Sequence, residues 1–243
     1  MKKNTFDYQK WQNERKYFQQ EGVKKEELEL EPFFNIQEDI KKQILTEGDP
    51  SSEVKFIAGV DVAYNEVAQR VVAGLAILDA ITLECVETAI CEDRICFPYI
   101  PGLFSFREIP PILKAFEKLR IQPDLIVCDG QGMAHPKGVG MACHLGIELQ
   151  IPSIGCAKSR LIGEFEAPGE ERGASTPLLF EGQEVGKVVR TQTEVKPVFV
   201  SVGHMISLET ACQWVLRLSP NYRLPETTRA ADHLVNQTMK QLF

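Results

Sequence analysis

The sequence predicts an α/β domain built on a mixed sheet flanked by helices. Three observations carry that expectation. Strand signals crowd residues 55–95 with only short connections, which makes an antiparallel meander of three strands. Beyond Leu119, short apolar strands alternate with helical segments, the order that gives parallel strands joined by helical crossovers. Ile109, Ile112, Leu113, Phe116 and Leu119 recur at helical spacing, so the segment 106–119 offers one apolar face to a sheet.

The elements follow in chain order. Residues 1–32 are dense in Lys, Glu and Gln, with Phe6, Trp11 and Phe18 loosely on one helical face. They read as an accessory N-terminal arm with a short amphipathic helix, and residues 33–243 as the main domain. A helix is expected over 35–45 and a loop at Gly48-Asp49-Pro50-Ser51-Ser52. Strands are expected over 55–64, 71–78 and within 82–95, and a helix over 106–119. A short buried strand fits 125–128, a Gly-rich segment leads to a helix over 139–149, and another strand fits 151–156. Gly182, Gly186 and the alternation around 187–191 predict a hairpin with 198–202, and two helices, 208–218 and 227–242, close the chain.

The 243 residues are 44% hydrophobic and 25% charged, ordinary globular usage that excludes a disordered or collagen-like chain. A chain of this length buries roughly 70% of the surface it exposes when unfolded, so no disulfide or metal staple is required. The net charge of −7 argues against binding nucleic acid by bulk phosphate neutralisation. It leaves room for an enzyme that meets phosphate through bound cations. Seven cysteines without a C-x-x-C pair indicate neither a disulfide framework nor a zinc ribbon. They point to a reducing compartment, and a cytoplasmic monomer is expected. The apolar runs, such as Val71 to Leu78, are too short to span a bilayer.

Several familiar motifs are missing. Gly130-x-Gly132-x-x-His135 lacks the third Gly of a dinucleotide loop, and neither a P-loop nor a Gly-x-Ser-x-Gly elbow occurs. What stands out is a set of carboxylates in unusual places. Asp61 interrupts the apolar strand Phe56 to Tyr64, where an unpaired charge is costly to bury. Asp129 ends the apolar run Leu125 to Cys128, and Glu108 sits at a helix start. Each alone has an ordinary explanation. Together, on adjacent elements, they read as hard oxygen ligands converging on Mg²⁺.

Four stretches give a resemblance. They are Gly59-Val60-Asp61-Val62-Ala63-Tyr64, then Pro98 to Glu108 (PYIPGLFSFRE), then Asp129-Gly130-Gln131-Gly132-Met133-Ala134-His135-Pro136, then Ala157-Lys158-Ser159. In order and spacing they resemble the successive motifs of the endonuclease V family, over roughly residue 33 to the end. The resemblance implies a ribonuclease H-like fold and hydrolysis of a phosphodiester bond near inosine, the product of adenine deamination, as a step in DNA repair. It implies Asp61, Glu108 and Asp129 as metal ligands, joined by Asp232, which matches the family's Thr-Arg-x-Ala-[Asp/His] helix. Mg²⁺ is the implied cofactor, with Mn²⁺ as a substitute. Lys158 would reach the catalytic site and stabilise charge on the phosphate.

Tyr99, stiffened by Pro98 and Pro101, would be a wedge where the base leaves the stack; the plainer reading is a core plug. His135 would contact substrate. Gly130, Gly132, Gly138 and Gly140 would form the base pocket, with Phe104 or Met141 as an apolar wall. Arg107, Lys137 and Arg160 are candidate phosphate contacts, and His144, His204 and His233 are structural. Alternatives remain: an inosine-specific endoribonuclease acting on single-stranded RNA, a non-catalytic nucleic-acid binder, or a general resolvase, for which the Pro-Tyr-Ile-Pro loop has no evident use.

Overall fold

The computed structural model describes residues 29–50 and 54–242. The amphipathic segment around Phe6, Trp11 and Phe18 lies outside the described residues. Helix α1 (Glu31–Lys41) precedes the meander β1 (Phe56–Asn65), β2 (Arg70–Asp79) and β3 (Cys85–Arg94). Then come α2 (Phe104–Phe116), β4 (Leu125–Cys128), α3 (Met141–Leu149) and β5 (Ser153–Ala157). β6 (Ser175–Phe180), β7 (Gln183–Val189), β8 (Val198–His204), α4 (Leu208–Arg217) and α5 (Glu226–Leu242) complete the chain.

The strands form one eight-stranded sheet in the order β3-β2-β1-β4-β5-β8-β7-β6. β4 runs parallel to β1 and β5, and every other neighbouring pair is antiparallel. This is the mixed sheet flanked by helices that was expected, with the meander at one end.

Strand alternation sets the two faces. Ala58 and Val60 of β1, with Ala73, Leu75 and Ile77 of β2, pack on Ile109 and Ile112 of α2 and Leu145 of α3. Burying each large side chain there is worth about 1.5–3 kcal/mol. On the other face Ile57, Leu125, Val127 and Ile154 pack with Trp214 and Val215 of α4. α5 lies against the backbone of β1. A Cβ on Gly59 would sit 1.9 Å from the Thr227 carbonyl oxygen, so only glycine admits this approach.

Several boundaries differ from the sequence reading. α1 starts earlier because Pro32 stands in its first turn, where a missing N–H is harmless, and it ends at Lys41 rather than 45. α2 begins at Phe104, so Glu108 lies in its second turn rather than at its start, and Pro110 and Pro111 fall inside the helix. β6 was not expected. Pro177 argues against a central strand, and β6 is indeed at the sheet edge, where a missing donor is tolerated. The β7–β8 hairpin holds, with Lys187 opposite Val200, while β7 pairs also with β6.

All seven cysteines are free, and Cys85 and Cys96 are exposed. No helix among the described residues is long and apolar enough to cross a membrane.

Candidate active site

The site forms where β4 stops. β4 is four residues long and its parallel neighbour β1 is ten. Their last paired position joins Val60 to Cys128, so Asp61 and Asp129 are the next residues on adjacent strands. The Asp129 N–H reaches the Val60 carbonyl at 3.5 Å. Asp61 shares the face of Gly59, beneath α5, which carries Asp232 one turn beyond Thr228. Val60 and Val62 face α2. Tyr64, of the same parity, donates its hydroxyl to Glu108 Oε1 at 3.1 Å. Carboxylates therefore gather from both faces of the sheet around one strand end.

Lys158 follows β5. Its ammonium lies 2.5 Å from Asp129 Oδ2 and 3.9 Å from Asp232 Oδ1. Burial lowers the Lys158 pKa, but the hydrogen bond and charge of Asp129, with Asp61 and Asp232, outweigh it, and the net shift is upward. The amine stays an ammonium at neutral pH.

Burial pushes Asp61 up to about 7, and the negative charges of Asp129 and Asp232 add to it. Burial likewise pushes Glu108 up to about 8, opposed by the Tyr64 hydrogen bond and reinforced by Asp61 and Asp129. The ordinary values are 3.8 and 4.5. Between those values and the raised ones the folded state holds more protons than the unfolded chain, so stability falls as pH rises. In EDTA the melting temperature is expected to drop steadily from roughly pH 5 to 8. Asp61→Asn removes one of the two groups and should flatten the slope; an unchanged slope contradicts the assignment.

Neighbouring carboxylates, two of which (Asp61 and Glu108) resist ionisation, have the donor chemistry of a site for a hard divalent cation, which prefers oxygen ligands. Among the described residues, no three His, Cys, Asp or Glu side chains are grouped closely enough to make a ready-formed cage. Asp129 is engaged by Lys158 and Glu108 by Tyr64. Their oxygen donors are of the kind that a hard divalent cation prefers.

A pocket of about 290 Å³ opens beside this cluster. Glu108 and Asp129 lie in its wall, with Tyr99, Phe104, Gly130, His135, Gly140 and Met141. Tyr99 is 61% exposed and meets Phe104 edge-on, centroids 5.9 Å apart. It is therefore no core plug. Burial pushes His135 down to about 4, so the ring is neutral. Its Nδ1 accepts the Lys137 N–H at 3.2 Å, which leaves the ring proton on Nε2.

Gly132 is not among the lining residues. Its N–H donates to Ser201 Oγ at 2.8 Å, its carbonyl accepts the Gly140 N–H at 2.9 Å, and a Cβ would lie 2.0 Å from the Val202 carbonyl oxygen. It braces the pocket loop against β8. Gly138 adopts φ +70°, a turn position outside the wall.

Of the three expected phosphate contacts, Arg107 is taken up inside the fold, while Lys137 and Arg160 are exposed. Arg107 is buried, stacks on Tyr64 at 4.3 Å and pairs with Glu66. Lys137 lies over the Phe34 ring, and Arg160 donates to the Gly163 carbonyl. His144 is fully buried beside Ser105 Oγ at 3.1 Å, and His204 accepts the Leu45 N–H, so both are structural as expected.

Sequence reasoning missed Tyr64, Ser105, Gln131 and Leu161. Tyr64 stood inside a quoted motif, three residues after Asp61, but nothing in the spacing says that it meets Glu108. Leu161 is 55% exposed although it lines the pocket, and an isolated leucine in a loop carries no signal.

Comparison with known proteins converges on one family. The family model described as Endonuclease V matches residues 38–233. The chain is 50% identical over 207 residues to endonuclease V of Rippkaea orientalis, covering 85% of this chain and 90% of that protein. It resembles the crystal structure of endonuclease V from Streptomyces avermitilis with a TM-score of 0.84 at 45% identity, covering 87% of this chain and 93% of the other. Endonuclease V from Ciona intestinalis, solved in complex with a 24mer DNA containing an inosine followed by a ribo-adenosine, superposes with a TM-score of 0.77 at 26% identity, covering 88% and 99% of the two chains.

Proposed function

Because the chain belongs to the endonuclease V family, we propose that it is a Mg²⁺-dependent endonuclease that hydrolyses a phosphodiester bond near inosine in DNA, opening the repair of deaminated adenine. The observation that carries this reading is the shared wall. Glu108 and Asp129 belong to both the carboxylate cluster and the pocket, so a base held in the pocket brings its own strand to the cluster. The inosine-containing DNA bound by the Ciona relative supports the substrate class.

The residues divide the work. Asp61, Glu108, Asp129 and Asp232 would hold the ion, and Tyr64 orients Glu108. Bound Mg²⁺ supplies charge neutralisation at the phosphate and lowers the pKa of water. Lys158, positively charged against Asp129, is placed to stabilise negative charge developing on the phosphate oxygens. Hypoxanthine presents a ring N–H donor beside a carbonyl acceptor, an edge that neither adenine nor an apolar surface matches. Neutral His135 contributes an Nε2–H donor in the wall, Gly130 allows close backbone approach, and Met141 and Phe104 exclude water from the flat faces.

The test is cleavage of matched DNA and RNA oligonucleotides, each with or without one inosine, in Mg²⁺ or EDTA. The RNA arm answers to the ribo-adenosine in the Ciona complex. The expected result is cutting of the inosine DNA in Mg²⁺ alone. Equal cutting with and without inosine, or cutting in EDTA, overturns the proposal.

Tyr99 gives a separate prediction. Exposed and poised on Phe104, it is placed to fill the gap left by an extruded base. Tyr99→Ala is expected to weaken binding to inosine duplex roughly tenfold or more, and to single strands much less, because only the duplex requires extrusion. The melting temperature should not move. Equal losses on both substrates with a lowered melting temperature contradict the wedge.

A further inference from the structure

The loop between α4 and α5, residues 218–225, is held unusually firmly for a surface connection. Gln192 Nε2 donates to the carbonyls of Ser219 and Tyr222 at 2.7 and 3.1 Å. Arg172 Nη1 donates to Ser219 O at 2.7 Å, and Thr191 Oγ1 to Arg223 O at 2.6 Å. Arg223 in turn clips the catalytic region, with Nη2 2.5 Å from the Lys158 carbonyl and 2.9 Å from that of Pro197. Backbone held by side chains at this density is pre-organised, and what it presents outward is Tyr222.

Tyr222 is 52% exposed and belongs to none of the apolar clusters among the described residues. The Arg229 guanidinium carbon lies 3.4 Å from its ring centroid, and Glu226 holds that guanidinium at 2.9 Å. One face of the ring is thus covered by a cation, while the residue as a whole stays half exposed. Arg229 stands one turn before Asp232 on α5, and Arg223 touches the backbone of Lys158. The stack is thus tied to the carboxylate cluster through α5 and through the Arg223 contact to Lys158.

We propose that Tyr222, backed by Arg229, is a stacking platform for a nucleobase of the bound strand, outside the pocket that takes the inosine. The proposal rests on the reading that this protein binds nucleic acid. Charge complementarity selects the occupant: in a chain of net charge −7, Arg223 lies against the Lys158 backbone and Arg229 stands one turn before Asp232, which Lys158 approaches at 3.9 Å, and these three cations suit a polyanion. A flat, half-exposed ring suits any base, since every base has a π-face and stacking needs no sequence-specific hydrogen bond. A rigid loop avoids ordering cost when the base arrives. The platform would fix the strand beside the scissile phosphate without adding sequence preference.

The experiment uses the full chain and single-inosine DNA strands carrying the fluorescent base aminopurine at each position on either side of the inosine in turn. Stopped-flow mixing reads binding before cleavage. One position is expected to be quenched by the parent and by Tyr222→Phe, which keeps the ring, but not by Tyr222→Leu. Tyr222→Leu should bind these strands roughly five- to a hundredfold more weakly at an unchanged melting temperature. Should the Leu variant fold poorly, Tyr222→Trp must keep or deepen the quenching at that same position. Identical quenching at every position in the parent and Tyr222→Leu overturns the platform alone. A parent that binds no inosine strand overturns the functional reading and this proposal with it.

Discussion

Asp129→Ala is expected to lower cleavage of an inosine-containing strand by at least about a hundredfold, the loss typical of deleting one centre of electrostatic catalysis. The fold should survive. Among the described residues the Asp129 side chain pairs with Lys158 alone, which keeps Asp232 within 3.9 Å. Removing one negative charge also relieves Asp61 and Glu108, both of which Asp129 pushes upward. A gel assay beside a thermal melt reads both halves, and Asp61→Ala is expected to behave alike. Undiminished cleavage by either variant removes the carboxylate cluster from the mechanism.

The second large effect separates two glycines that look alike in the sequence. Gly132→Val forces a Cβ into backbone, 2.0 Å from the Val202 carbonyl oxygen, where no side chain can move aside. Overpacking of this kind costs about 3 kcal/mol or more, roughly 10 °C in melting temperature for a chain this long. Gly130→Ala meets only the Met141 methyl at 3.7 Å, an ordinary contact. It should melt like the parent, yet place a methyl group in the pocket wall and reduce inosine cleavage by roughly tenfold, the cost of one displaced hydrogen bond. If Gly132→Val folds normally, β8 does not press on the loop as described. If Gly130→Ala cuts at the parent rate, the base is read elsewhere.

These two glycines also mark where the sequence stops speaking. Asp61 and Asp129 were legible because a charge inside or at the end of an apolar strand needs a reason, and the parallel pairing of those strands puts the two side by side. Glu108 was legible through its motif, although its true place is the second helical turn, held there by a tyrosine from β1. That contact depends on which face of the sheet α2 covers, which follows from packing between distant segments. Gly130 and Gly132 differ only in what lies above them, Met141 in one case and β8 in the other. The Arg107 phosphate contact failed for a related reason. Arg107 looked available in the sequence, but burial against Tyr64 and Glu66 uses it inside the fold. β6 was hidden by Pro177, because an edge position cannot be recognised until the sheet order is known.

The central claim is that one pocket reads the base while its wall cuts the strand. The most direct measurement is single-turnover cleavage, in Mg²⁺, of one DNA strand carrying inosine, adenosine or guanosine at the same position. A site that matches a carbonyl and a ring N–H but offers no partner to an added amino group predicts cutting of the inosine strand at least about tenfold faster than either other strand, since each unmatched buried polar group costs about 1–3 kcal/mol. Equal rates on the three strands would contradict the account.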